Sequence, residues 1–225
     1  MATTTLKGIE FGDVIYAFED TEARSDIATL KSTIEDIQYS PISITSFTND
    51  KNTVEIGTTI TSVVLKWTTN KTPKTLTLDN STISNILTTT TLSGQSITAN
   101  KTFTLKATDD RNASASKTTA ITFCNGVYYG AAASATVDST FILKLTKTLQ
   151  SSKAKTFDCT TGSGQYVWYA IPTRYGTPSF NVGGFDGGFS KVSTIQFTNA
   201  SGYTESYDVY KSDNSNLGKK TIKVS

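Results

Sequence analysis

Between positions 20 and 38 the apolar residues fall at Ala23, Ile27, Leu30, Ile34 and Ile37, in steps of four, three, four and three. That period of about 3.5 predicts a helix with a narrow aliphatic seam. Glu22, Arg24, Asp26, Lys31, Glu35 and Asp36 fill the rest of its circumference. Asp20 or Thr21 supplies an N-cap, Glu22 suits the positive end of the helix dipole, and Pro41 stops the helix. About 18 residues span about 27 Å. A seam this narrow suits coiled-coil packing better than a helix lying on its own sheet, which is the alternative. Isoleucine at both seam positions favours a trimer, while Leu30 also suits a dimer. Ahead of the helix, Phe11, Val14, Tyr16 and Phe18 alternate with other residues and predict one strand over Val14–Phe18. Such an arm has little surface of its own to pair with, so it is expected to anchor on another copy or another protein.

Beyond Pro41 the pattern changes to short alternating runs. Strands are predicted at Ile42–Phe47, Thr53–Ile56, Ile60–Thr68, Lys74–Leu78, Thr88–Leu92, Thr102–Thr108 and Ser116–Phe123, with turn residues between them. Seven short strands at this spacing are the pattern of a β-sandwich, with Val64, Trp67, Phe103, Leu105 and Ala107 on its inner faces. Asn125-Gly126 is a strong turn dipeptide and sets an expected domain boundary. After it, strands are predicted at Phe141–Leu145, Thr156–Cys159, Tyr166–Ile171, Thr194–Phe197, Ser206–Tyr210 and Thr221–Val224. The expected fold class is thus mainly β. An N-terminal arm and short coiled-coil helix (1–40) precede an immunoglobulin-like β-sandwich (41–125) and a second all-β domain (126–225).

The stretch from Tyr175 to Phe189 lacks a period and holds Gly183-Gly184 and Gly187-Gly188 around Phe185 and Asp186. It lacks the Lys-Ser/Thr and the strand-to-helix context of a phosphate loop. Two readings stand: a contact loop carrying Tyr175, Phe180, Phe185, Asp186 and Phe189, or a tight turn between strands. The aromatic residues around Trp168, Tyr169, Tyr207 and Tyr210 read chiefly as core and cross-strand pairs, with a carbohydrate platform as the rival.

Composition narrows the chemistry. Thr and Ser make up about 30 % of the chain, which suits polar sheet faces. There is no histidine, which removes the usual general base, nucleophile activator and metal ligand together. What survives is carboxylate chemistry, and the acids are scattered along the chain. Asp109-Asp110 with Asn112 lacks the pattern of a helical calcium loop and reads as a turn. No catalytic, cofactor-binding or metal-binding residues are therefore assigned, and no enzyme is expected. The net charge of +2 offers nothing general to nucleic acid or to an anionic membrane. No run is long and apolar enough to span a bilayer, and Met1–Lys7 lacks a secretory pattern. Cys124 and Cys159 read as small buried hydrophobes, with a disulfide between them as the alternative.

A resemblance adds to this reading. From position 54 the chain runs VEIGTTITSVVLKWTTNKTPKTLTLDNSTI, and later TLSGQSITANKTFTLKATDDRNASASKTTAITFCNGVYYGAA. Both stretches resemble an immunoglobulin-like module of tailed-bacteriophage structural proteins. The final WYAIPTRYGTPSFNVGGFDGGFSKVSTIQFTNASGYTESYDVYKSDNSNLGKKTIKV is similar to the segment that often follows it. YAFEDTEARSDIATLKSTI is similar to the lead-in to a short coiled coil in phage head and tail fibres, with Phe18-Glu19 in place of an Ile-Lys-like pair. The resemblance implies a virion part made in the bacterial host cytoplasm: a head fibre, capsid accessory or tail appendage protein. Its implied partners are capsid, portal or tail proteins and further copies of itself, joined through Ala23, Ile27, Leu30, Ile34 and Ile37. Phe11, Val14, Tyr16 and Phe18 would anchor it. A receptor- or glycan-binding adhesin at a fibre tip is the alternative, with a host surface glycan as its partner.

Overall fold

The computed structural model describes the backbone of residues 9–11 and 14–16 and all of residues 21–225. The chain divides into two compact units, Met1–Pro41 and Ile42–Ser225. It is mainly β, with several antiparallel sheets.

In the first unit, β1 (Ile9–Phe11) and β2 (Val14–Tyr16) pair antiparallel, with Ile9 opposite Tyr16 and Phe11 opposite Val14. This corrects the expectation of one strand with no partner in its own chain. The sequence is apolar on both sides of Gly12-Asp13, so each run offers the other an edge. Phe18 lies outside the described residues. Helix α1 spans Thr21–Ile37, close to the predicted bounds, and buries none of its residues.

The second unit begins with β3 (Ile44–Asn49), β4 (Thr53–Glu55), β5 (Ile60–Thr69), β6 (Thr75–Leu78), β7 (Ser81–Ile83), β8 (Thr89–Ile97) and β9 (Lys101–Thr108). Strand β7 is additional to the expected set. It exists because Asp79 and Asn80 both take positive φ and close a two-residue turn between Leu78 and Ser81. Sheet β3-β5-β8 faces β9 and β6 across one core. That core includes Val63, Leu65, Trp67, Leu76, Phe103, Leu105 and Ala107. Trp67 and the β9 residues are thus internal as predicted, but Val64 points away. Alternation from Trp67 places Leu65 and Val63 inside instead.

Strand β10 runs unbroken for 20 residues, Ser114–Ala133. Its first part pairs with β9 and, at Thr122–Cys124, in parallel with β4. The expected turn at Asn125-Gly126 is therefore corrected: both residues are strand. The cores nevertheless change over close to that point, the first ending at Phe123 and the next beginning at Val127.

After β10 come α2 (Ser139–Ile142), β11 (Thr146–Gln150), β12 (Lys155–Thr160), β13 (Gln165–Pro172), β14 (Phe180–Val182), β15 (Phe185–Asp186), β16 (Phe189–Thr198), β17 (Thr204–Ser212) and β18 (Lys219–Val224). The strand predicted at Phe141–Leu145 is corrected to the short helix α2. Asp138 caps it by accepting from Phe141 N at 2.7 Å, a local bond that competes with strand pairing.

This half has three layers. Sheet β16-β17-β13-β10 lies in the middle, sheet β12-β18-β14-β15 covers one face, and α2 packs on the other. Val167, Tyr169 and Ile171 of β13 enter one core, while Trp168 and Ala170 enter the other. A strand buried on both faces carries an unbroken apolar run, which is why residues 167–171 do not alternate. Burying each large apolar side chain there contributes about 1.5–3 kcal/mol.

Candidate assembly and contact surfaces

The seam residues of α1 lie together on one exposed face. Ile27 is 64 %, Leu30 61 %, Ile34 51 % and Ile37 78 % exposed, and Ala23 is half-buried. Ile27, Leu30 and Ile34 line a shallow apolar groove flanked by Lys31 and Glu35. Beside it, Thr29 and Thr33 donate their hydroxyls to the carbonyls of Ser25 and Thr29 at 3.0 and 2.9 Å. Those hydroxyls are thereby satisfied within the helix. Of the residues expected to anchor the arm, Phe11, Val14 and Tyr16 lie on the β1–β2 pair.

The residues expected to share a contact loop separate into two sets. Phe180 is buried, stacks on Phe189 with ring centres 4.2 Å apart, and meets the Tyr169 and Tyr210 rings. Tyr175 packs against the same core and donates its hydroxyl to Gln150 O at 2.7 Å. For Tyr175, Phe180 and Phe189 the loop reading is corrected: they hold the layers together. Phe185 and Asp186 do reach solvent, with Phe185 80 % exposed. They stand on a hairpin whose turn is Gly183-Gly184, both at positive φ, so the tight-turn reading holds for the glycines. Asn181 braces the hairpin by donating to Asp186 Oδ1 at 2.6 Å and accepting from Gly184 N at 3.1 Å. Beside it Ser179, Phe180, Asn181, Asp186, Lys223 and Ser225 line a polar groove of about 250 Å³.

The buried carboxylates are engaged internally. Glu55 on β4 accepts from the Tyr128 hydroxyl at 3.1 Å and from Lys147 Nζ at 2.8 Å, which ties β4, β10 and β11 together. Nearby, Glu205 accepts from Asn125 Nδ2 at 2.7 Å and pairs with Arg174 at 3.1 Å. Asp109 accepts from Ile42 N, Arg111 N and Ala113 N and pairs with Lys71 at 2.9 Å. It closes the β9–β10 turn and fixes the point where the second unit begins. Asp208 accepts from Lys191 and Thr194, each at 2.7 Å, and from Thr173 at 3.2 Å. Burial pushes the Asp208 carboxyl up, but the lysine and the two hydroxyls outweigh it and hold the group below its ordinary value of 3.8. Burial raises the Tyr128 and Tyr207 hydroxyls, so both stay protonated donors. No spacing in the sequence joins Glu55 to Tyr128 and Lys147; only the sheet topology does.

Cys124 and Cys159 are both buried and unpaired, and burial raises both thiols. Among the described residues no three Cys, Asp or Glu side chains gather closely enough to hold a metal ion. Among the same residues no helix is long and apolar enough to cross a membrane.

No family model matches the chain, and no curated protein does. Among solved structures it is similar to the N-terminal eight Ig domains of Down Syndrome Cell Adhesion Molecule (DSCAM) isoform 1.30.30. The identity is 13 %, the TM-score is 0.26, and the match covers 81 % of this chain and 26 % of that one. It is similar also to chitinase ChiA74 from Bacillus thuringiensis, at 12 % identity and a TM-score of 0.26 over 83 % of this chain and 27 % of that one. The chain spans about a quarter of the length of each. Neither likeness carries an argument about function.

Proposed function

We propose that this chain is a non-catalytic structural protein of a bacteriophage virion, a head fibre, capsid accessory or tail appendage. Copies join through α1 and display an immunoglobulin-like β unit followed by a second β half. The observation that carries the reading is the exposed row Ile27, Leu30, Ile34 and Ile37 on a helix with no fully buried residue. Four large aliphatic side chains in one row are costly to leave in water, and a coiled-coil seam removes them from it. Glu55, Asp109 and Asp208 are bonded to groups on neighbouring strands and turns, which is what carboxylates that hold a fold together do. The sequence resemblance supplies the virion setting, with capsid, portal or tail proteins as partners. The mechanism would be geometric, several copies placing weak contact surfaces side by side so that avidity multiplies their affinity.

Sedimentation of the purified chain tests the assembly. The wild type should form a concentration-dependent oligomer and Ile34→Asp a monomer; a wild type that stays monomeric at high concentration overturns the reading. Locating density for the chain on an intact particle tests the setting.

A second reading, a receptor- or glycan-binding adhesin, is favoured by one observation. Phe185 stands almost fully exposed on a braced hairpin beside a groove lined by Asn181 and Asp186. A ring with neighbouring amide and carboxylate groups is the chemistry that stacks on a sugar and bonds its hydroxyls. Retention on host cells that Phe185→Ala abolishes would support it, and no retention by the wild type would remove it.

A further inference from the structure

We infer that α1 packs against the same helix of other copies in parallel and in register, with Asp26 of one chain facing Lys31 of its neighbour. The inference rests on the assembly reading above and adds its orientation. With Ile27 and Ile34 at the a positions of the heptad, Leu30 and Ile37 fall at d, as does Ala23. The residues flanking the seam then sort by charge. Arg24 and Lys31 fall at e, Asp26 and Thr33 at g, and all four are exposed.

In a parallel pair, a g residue faces the e residue five positions later on the neighbouring helix. Asp26 therefore meets Lys31 of the next copy, an opposite-charge contact repeated at each interface. In an antiparallel pair, e faces e and g faces g. Lys31 would then meet only Arg24 or Lys31, and Asp26 only Asp26 or Thr33. The same residues attract in one orientation and repel in the other, so the charges select the parallel arrangement. A second copy of this helix offers the groove an aliphatic row of its own and flanking charges of opposite sign. Parallel register brings the Ile37 ends together, and with them the points where every β unit starts.

Two measurements test this. Ala23→Cys puts one thiol at a d position, and the native thiols are buried. Mild oxidation should link neighbouring copies through it. In an antiparallel seam centred near Leu30 the new thiols lie about 21 Å apart and do not link. Separately, Lys31→Glu should raise the concentration needed for assembly about tenfold, because attraction becomes repulsion at each interface. The swap Asp26→Lys with Lys31→Asp should restore assembly to near the wild-type level. A wild type that sediments as a monomer removes the assembly reading itself. An Ala23→Cys oligomer that forms no disulfide link, with Lys31→Glu assembling as well as the wild type, overturns the parallel register and leaves assembly standing.

Discussion

The ring of Tyr128 lies across Gly126, two residues earlier on β10, so closely that a Cβ on Gly126 would sit 2.7 Å from the ring. The same glycine presents its carbonyl to the Tyr207 hydroxyl at 2.8 Å. Gly126 is therefore needed for close approach, and not for a turn. Gly126→Ala should destabilise the second unit by about 1–3 kcal/mol through overpacking. Urea unfolding monitored by tryptophan fluorescence checks this. A change under about 0.5 kcal/mol would show that the ring is free to move aside.

Glu55, Tyr128 and Lys147 tie three strands where the cores change over, and they should act as one group. Tyr128→Phe takes one donor from a buried carboxylate and should cost about 1–2 kcal/mol. Lys147→Met removes a partner that is itself part-exposed, and should cost about 1 kcal/mol. The double variant should depart from additivity by at least about 0.5 kcal/mol. Additive losses in chemical denaturation would mean that the two donors do not share the acceptor.

Phe180 and Phe185 stand five residues apart and should give opposite outcomes. Phe180→Ala empties a site inside an aromatic cluster and should cost about 3–5 kcal/mol. Phe185→Ala should leave stability within about 0.5 kcal/mol of the wild type. Thermal melts of the two variants separate them directly, and equal losses would mean that the hairpin tip packs against something in solution.

Asp208 gives a pH signature. Its folded value lies below its ordinary 3.8, so its contribution is present above that value and fades as pH falls through the folded one. Its partner Lys191 is raised above 10.5, chiefly by Asp208, so the lysine's contribution is present below 10.5 and fades as pH rises through the higher folded value. Asp208→Asn should therefore lower stability at about pH 7, by about 1–2 kcal/mol. The two proteins should converge as pH falls below the folded value, once the carboxyl is protonated in both the folded and unfolded states. A gap that stays constant with pH would assign the loss to packing alone.

Much of the β architecture is legible in the sequence because alternation reports which side of a strand is wet. That signal places most strands within a few residues and puts Trp67, Phe103 and Leu105 inside. It fails where both faces are dry or where the chain turns sharply. Val64 falls on the wrong face because Val63, Val64 and Leu65 are all apolar, so hydrophobicity alone does not fix the phase. Asn125-Gly126 has the composition of a turn, yet the space under the Tyr128 ring explains its glycine. The seam of α1 is legible because its period of 3.5 is local. Phe180 and Phe185 look equivalent in sequence, since flanking glycines mark a turn without showing which side faces the core. The grouping of Glu55 with Lys147 depends on β4 pairing in parallel with β10, a long-range event that leaves no local trace.

The uninterrupted course of β10 also bears on where this chain can be divided. A cut at the compositional change near 126 would sever a strand and leave unpaired amides and carbonyls on both fragments, an invitation to aggregate. A tolerated cut should fall instead ahead of Ile42, where the second unit begins. The two β halves are thus expected to hold together as a single block, from which the segment ahead of Ile42 can be separated.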